Sequence, residues 1–131
     1  MYARPLKSQN LTLAPVPKRF KIIINPKSGK GKAKNIFKND VLPILQAAGC
    51  KVVEHITSDR NGVSHVLTTN AAKEATAVAA QLDLQYYDAI LCVGGDGIVH
   101  EVINGLANRK DGGDALNSIY IAAIPAGAVI L

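Results

Sequence analysis

Aromatic residues and cysteines are scarce in this 131-residue sequence, which has no tryptophan, two phenylalanines and two cysteines. With so few large rings, the base-stacking platform of a single-strand nucleic-acid-binding protein is not evident. Cys50 and Cys92 lie far apart and lack metal-ligand spacing. A disulfide framework is therefore not expected. The two cysteines are instead expected to be reduced, buried thiols in a cytosolic protein.

Long apolar runs are also missing. The longest, residues 119–131, is interrupted by Pro125 and Gly127 and is too short to cross a bilayer core about 30 Å thick. Residues 1–13 are polar and lack the apolar region of a signal peptide. These patterns predict a cytoplasmic protein.

Acidic residues are absent from residues 1–39, which carry ten of the fifteen basic side chains, and the net charge of the whole chain is +5. A cluster of this kind attracts nucleic acid, an anionic membrane surface or a small phosphate ligand. The alternative is an unstructured, solubilising tail.

The positions of proline and glycine and the spacing of apolar residues indicate the domain organisation. Three prolines mark residues 1–18 as a tail or linker, and residues 19–131 then read as one domain. Strands are predicted at 20–25, 51–57, 88–93 and 118–124, and helices at 33–48, at 62–82 with a break near 68–70, and after residue 97. This βαβαβαβ order predicts an α/β fold, a parallel sheet with helices on both faces.

Single residues predict the shape of one helix and the packing of another. Pro43 is expected to kink the first helix, whose apolar stripe is Ile36, Phe37, Val41, Ile44, Leu45 and Ala48. Gly105, on the apolar side of the last helix, is expected to let that helix pack closely against the sheet.

Candidate ligand loops follow the predicted strands, and in a parallel sheet all of them converge on the carboxyl edge. The first, NPKSGKGKA at 25–33, places glycines, lysines and a hydroxyl before a helix N-terminus, which suits an anion. It is not a Walker A loop, because Ile24 and Pro26 occupy the positions where that motif requires glycine. It is not a GxGxxG fingerprint either, because Lys34 occupies the position of the third glycine. A flexible basic turn without a ligand is the alternative.

The loop GGDG at 94–97 surrounds one carboxylate, Asp96, with glycines that let a bulky substituent approach. Asp96 could orient an attacking hydroxyl, accept its proton, or bind the Mg²⁺ that accompanies a nucleotide. The alternative is a tight turn in which Asp96 caps the next helix. His100 and Glu101 do not form a zinc motif, because HExxH requires histidine where Asn104 stands, and no metal site is predicted.

The order of these motifs resembles the catalytic domain of the diacylglycerol kinase family, specifically its sphingoid-base kinase branch. The resemblance rests on IIINPKSGKGKAKNIF, ITSDRN, YDAILCVGGDGIVHEVINGL and IPAG, from Arg19 to Gly127. His100 favours the sphingosine kinases, since bacterial-type diacylglycerol kinases tend to have asparagine there and ceramide kinases serine.

The resemblance implies transfer of the γ-phosphoryl group of ATP, with Mg²⁺, to the primary hydroxyl of a sphingoid base. Peripheral membrane association is compatible with it, and nucleic acid binding is not implied. Asp96 would accept the proton, and Gly94, Gly95, Asp96 and Gly97 would lie between nucleotide and lipid. The implied nucleotide contacts are Asn25, Pro26, Lys27, Thr57, Ser58, Asp59, Arg60, Asn61 and Glu101.

Other functions remain open. They are a ceramide or diacylglycerol kinase, an NAD kinase-like enzyme, and a non-catalytic phosphate-binding module. NPKSGKGKA and HEVINGL count against the NAD kinase.

The sequence departs from the family's pattern at two places. The modest departure is glycine at position 94, where serine is frequent in the family. The other is PAGAVIL where the family continues PAGSGNA into a further nucleotide turn and a β-rich second domain. The expectation is a truncated nucleotide-binding subdomain with little kinase activity alone and a tendency to self-associate.

Overall fold

The computed structural model describes residues 18–53, 63–69 and 73–126, and its centre is a five-stranded sheet. All neighbouring strands are parallel, in the order β2-β3-β1-β4-β5. The strands are β1 (Phe20–Ile24), β2 (Lys51–Val53), β3 (Val63–Thr68), β4 (Ala89–Gly94) and β5 (Tyr120–Pro125).

The helices follow the glycine-rich loops and the turns between strands. After a short helical turn at Ser28–Gly31 come α1 (Ala33–Ile36), a π-helical turn at Phe37–Val41 and α2 (Leu42–Ala47). The remaining helices are α3 (Glu74–Ala80), α4 (Asp96–Ala107) and α5 (Gly112–Ser118). No helix among these described residues is long and apolar enough to cross a membrane.

The sheet has a core on each face, because alternate residues of a strand point in opposite directions. Ile23 and Cys92 pack with residues of α3, α4 and α5 on one face. Ile22 and Ile24 pack on the other face with Ala33, Phe37 and Leu45. The predicted α/β class, a parallel sheet covered by helices on both sides, is therefore confirmed.

Both cysteines are free and buried, as expected. Burial raises the pKa of the Cys92 thiol to about 12. A thiol with such a pKa carries almost no thiolate at neutral pH and is a packing group.

The helix predicted over 62–82 is wrong in its first part. Val63–Thr68 is instead strand β3, inserted between β2 and β1, and helix α3 begins only at Glu74. The segment is rich in β-branched residues and short, so its helical spacing of apolar residues is ambiguous. Pairing with a strand on each side makes this segment a strand, since His65 pairs with Lys21 of β1 and with Val53 of β2.

The first helix departs from the predicted stripe at Ile44, whose relative exposure is 70%. The π-helical turn adds a residue to one turn and so shifts the register of all that follows. Leu45, the next residue of the predicted stripe, faces the core and is buried. The π-helical turn ends at Val41, two residues before Pro43, which lies in the first turn of α2 and lacks the N–H of an α-helical hydrogen bond.

The α3 helix is capped by a side chain from the turn between α4 and α5. Nη1 of Arg109 donates to the carbonyl oxygens of Ala79, Ala80 and Leu82 at 3.0 to 3.2 Å. Its Nε donates to Asp111 at 2.8 Å, and this bond holds the pKa of the Asp111 carboxyl below its usual value. The end of α3 is thereby fixed to the end of α4.

Gly105 makes a close helix–helix contact, and the expected contact with the sheet is wrong. A Cβ at this position would lie 2.3 Å from the carbonyl oxygen of Thr76 and 2.8 Å from Cβ of Ala79, both in α3. The two helices can therefore meet only because residue 105 has no side chain.

Replacing Gly105 by alanine should destabilise the protein by roughly 1 to 3 kcal/mol, because α3 and α4 must move apart. Gly113→Ala is the matched control, since Gly113 also lies in a helix and a Cβ there would meet nothing within 4 Å. Urea unfolding measures both variants. Equal stability of the two would contradict the close contact.

Candidate functional site

The loop after β1 is a compact basic turn organised by Asn25. The Asn25 side-chain oxygen accepts a hydrogen bond from the N–H of Lys27 at 3.1 Å, and its carbonyl accepts one from the N–H of Ser28 at 3.1 Å. Gly29, Lys30 and Gly31 then adopt left-handed conformations with φ of 63°, 57° and 85°. Lys30 lacks the freedom of glycine, so the turn stores about 1 kcal/mol or more of backbone strain.

This basic turn leads into the N-terminus of α1, where backbone N–H groups and the helix dipole favour an anion. Lys27, Lys30 and Lys32 are all exposed there. The first turn of α1 contains no acidic residue. The local charge is therefore strongly positive and open to solvent.

The glycine loop after β4 lies directly against the basic turn. The Asn25 N–H donates to the carbonyl oxygen of Val93 at 3.0 Å. A Cβ on Gly94 would lie 2.9 Å from Oγ of Ser28 and 3.3 Å from Cβ of Asn25, and φ of Gly94 is +156°. The structure thus brings together the two loops that the sequence singled out.

Asp96 is the first residue of α4 and is exposed, with Gly95 in the cap position. Asp96 therefore does not occupy the capping position that was its alternative role. Cβ atoms on Gly95 and Gly97 would meet nothing within 4 Å, so the space beside the carboxylate is open. His100 follows one turn later and is exposed, and Glu101 is half-buried.

Thr69 joins this edge although the sequence patterns did not indicate it. Its N–H and its Oγ1 donate to the carbonyl oxygen of Ile24, at 2.9 and 3.3 Å, so it lies beside the start of the basic turn. The available signal was a pair of polar residues, Thr68 at the end of strand β3 and Thr69 directly after it. The helical interpretation of 62–82 concealed it.

Of the two other predicted loops, one lies outside the described residues and the other is described only in part. The second nucleotide loop, Thr57 to Asn61, lies outside them. After β5 the chain is described as far as Ala126, whose N–H donates to the carbonyl oxygen of Gly94 at 3.3 Å. This bond brings the IPA segment to the same edge. The PAGAVIL ending from residue 127 onward lies outside the described part.

A divalent cation cage is not formed by the described side chains, which contain no group of three or more His, Cys, Asp or Glu in binding proximity. Mg²⁺ commonly needs less, because one or two carboxylates and the phosphates of a nucleotide complete its shell. Asp96 fits that more limited role, as a single exposed carboxylate at the edge where the loops meet.

These features define a class: a parallel α/β protein whose basic and glycine-rich loops meet at the carboxyl edge of the sheet. Residues 19–129 match the model of a family described as "Diacylglycerol kinase catalytic domain". The chain belongs to this family, which confirms the expectation from its motifs.

Similar proteins include several sphingoid base kinases. The chain is 41% identical to sphingoid long chain base kinase 5 of Saccharomyces cerevisiae, over 82% of this chain and 14% of that protein. It is 38% identical to sphingoid long chain base kinase 4 of Schizosaccharomyces pombe, over 85% of this chain and 21% of that protein. It is 32% identical to human sphingosine kinase 1, over 87% of this chain and 26% of that protein.

The fold is also found in a solved structure of a diacylglycerol kinase from Bacillus anthracis. That structure aligns with a TM-score of 0.58 and 26% identity over 84% of this chain and 33% of that one. The chain thus spans about a third or less of the proteins named here.

Gly94→Ala should lower stability by roughly 1 to 3 kcal/mol, because the new methyl group overlaps Ser28 and the backbone at φ +156° disfavours a side chain. Gly95→Ala is the matched control for folding, since its Cβ meets open space. Thermal unfolding compares the two. A Gly94→Ala protein as stable as Gly95→Ala would show that the two loops are not in contact.

Proposed function

We propose that this chain is the nucleotide-binding part of an ATP-dependent lipid kinase that phosphorylates the primary hydroxyl group of a sphingoid base. Membership of the diacylglycerol kinase family and the sphingoid base kinases among its relatives support the proposal. The observation that carries it is the contact between the basic turn and the Gly94–Gly97 loop, with Ser28 against Gly94. A phosphoryl donor and a carboxylate would meet at that contact.

The basic turn would receive the phosphates of ATP. Its backbone N–H groups, the α1 N-terminus and the Lys27 ammonium group would offset the negative charge, as Asn25 and Pro26 shape the turn. Glu101 is a further proposed nucleotide contact, as are residues 57–61 outside the described part. To these we add Thr69, because its backbone already bonds to the residue that precedes the turn.

Asp96 would act on the acceptor. In the proposed step the lipid hydroxyl oxygen attacks the γ-phosphorus, the bond from phosphorus to the ADP oxygen breaks, and the hydroxyl proton passes to the Asp96 carboxylate. Mg²⁺ bound with the nucleotide would neutralise part of the charge on the phosphates. Gly95 and Gly97 leave room beside the carboxylate for the approaching hydroxyl.

The acceptor is proposed from the relatives and from His100. Human ceramide kinase is also 30% identical over 98% of this chain, so ceramide is the competing acceptor to measure. Because the chain is a small share of these relatives' length, the acceptor pocket of a complete enzyme would include residues beyond it.

A chimera tests the proposed function. Residues 19–126 of this chain would replace the matching segment of the Saccharomyces cerevisiae relative, and transfer from labelled ATP to sphingosine, ceramide and diacylglycerol would be measured. We expect phosphorylation of sphingosine in preference to the other two. Asp96→Asn should reduce it by about 10²-fold or more, because the proton acceptor is lost.

The Asp96→Asn chimera should still bind ATP, which separates a chemical role from a binding or folding one. A folded chimera that binds ATP and phosphorylates none of the three lipids would refute the proposal. So would an Asp96→Asn chimera with undiminished turnover.

Thr69→Val should weaken binding of a fluorescent ATP analogue to the 131-residue chain several-fold, because it removes the hydroxyl beside the basic turn. Thr69→Ser keeps that hydroxyl and should bind as the parent does. Equal affinity of the valine and serine variants would remove Thr69 from the nucleotide site.

A further inference from the structure

Strand β5 is an edge of the sheet, because in the described part of the chain it has a neighbouring strand, β4, on one side only. Every residue of Tyr120–Pro125 is exposed or half-buried. Its sequence, YIAAIP, contains no charged residue. Charged side chains and short length are common means of stopping an edge strand from pairing with another chain. β5 lacks both, and its one protective residue is Pro125 at the end.

The opposite edge of the sheet is better protected. Strand β2 comprises only Lys51–Val53, and Lys51 is exposed. Its short length and its lysine both disfavour pairing with a further strand. The contrast makes β5, rather than β2, the edge at which another strand would add to the sheet.

The backbone groups that β5 turns outward belong to alternate residues. The N–H groups of Tyr120 and Ala126, at the two ends of the strand, donate to carbonyl oxygens on the β4 side at 3.3 Å. Because backbone direction alternates along a strand, the even-numbered residues between them also face β4. Ile121 and Ala123 therefore turn their N–H and C=O groups toward the open edge. Pro125 has the same direction and no N–H that needs a partner.

The surface around this edge is apolar and almost uncharged. The relative exposure of Tyr120 is 48%. From Gly112 to Ala126 the single charged side chain is Asp114. A chain with a net charge of +5 can therefore approach another copy of itself here without the repulsion that its lysine-rich surfaces would cause.

We propose that β5 pairs antiparallel with β5 of a second copy of this chain, around a twofold axis at Ala122. Ile121 then lies opposite Ala123 of the second copy, and the two residues exchange both N–H···O=C hydrogen bonds. Tyr120 lies opposite Ile124 of the second copy, and aromatic residues paired with β-branched ones stabilise neighbouring strands. A second copy is favoured because each outward N–H of β5 finds its carbonyl partner within the same short segment.

Twofold pairing also ends assembly at two chains. Each copy uses its unprotected edge, and the combined sheet then ends in β2 on both sides. Pairing between unlike edges would instead continue into filaments. The self-association expected from the sequence is thus a closed dimer in this proposal. One pair of strands is a small interface, so the dimer should form reversibly as concentration rises.

Sedimentation of the 131-residue chain over roughly a hundredfold range of concentration measures the dimer. We expect the average mass to rise from that of one chain to that of two. Hydrogen exchange, followed for each residue by NMR, locates the interface. Exchange of the Ile121 and Ala123 amides should slow by about tenfold or more as the dimer forms, whereas the Ala122 amide, which faces β4, should change less.

Ala122→Lys and Ala122→Glu test the position of the twofold axis. At that axis residue 122 faces its own copy at a Cα distance of about 4.5 Å, where like charges repel. Each variant alone should raise the dissociation constant of the dimer by about fivefold or more. An equal mixture of the two variants should restore dimerisation, because lysine then faces glutamate.

Ala47→Lys and Ala47→Glu are the matched controls, since Ala47 is also an exposed alanine and lies in α2. They should dimerise as the parent does, alone and mixed. A chain that stays monomeric, a dimer unaffected by both Ala122 variants, a mixture that does not recover, or growth beyond two chains would each overturn the proposal. Ile121 and Ala123 amides already protected in the monomer would overturn it as well, and would assign the edge to a segment of the same chain.

Discussion

The meeting of two loops above strands β1 and β4 is the constraint on which the candidate site depends. Asn25 joins them, because its N–H bonds to the carbonyl oxygen of Val93 while its own oxygens hold the next residues of the basic turn. Gly94 permits the approach, since a side chain there would overlap Ser28. The parallel pairing of β1 with β4 ensures that both loops leave the sheet at the same edge. The site is therefore a consequence of strand order.

Charge is distributed around that meeting point in a way that helix formation alone would disfavour. The turn holds Lys30 in a left-handed conformation, and α1 starts without an acidic residue. In the proposed function a bound phosphate would supply the missing negative charge, and its oxygens would accept hydrogen bonds from the N–H groups of the turn. Backbone strain and like charge at one position are consistent with the binding role proposed for this turn.

The sequence predicted the parts of the fold that are set by local chemistry. The β4 strand is buried on both faces and reads as a continuous apolar run, and the glycines on either side of Asp96 mark the turn after it. Three features were not predictable in this way. Strand β3 depends on partners on both sides, Ile44 is exposed by a π-helical turn, and Gly105 faces a helix that is distant in sequence. For strand β3 and for Gly105 a tertiary contact decides between structures that the local pattern allows, and for Ile44 an irregular helical turn does.

The two edges of the sheet differ in packing and exposure, and the proposed site lies at the more open one. At the amino edge, Tyr87 and His65 form a buried hydrogen bond of 2.8 Å, and Arg109 ties α3 to the end of α4. At the carboxyl edge, Asp96 and the glycines beside it are exposed. A reacting group needs space and a solvent path before its ligands arrive, so it cannot also be a packing group. The ordered amino edge compensates by fixing the strands and helices from which the open loops project, which is why loops so exposed can still hold a defined geometry.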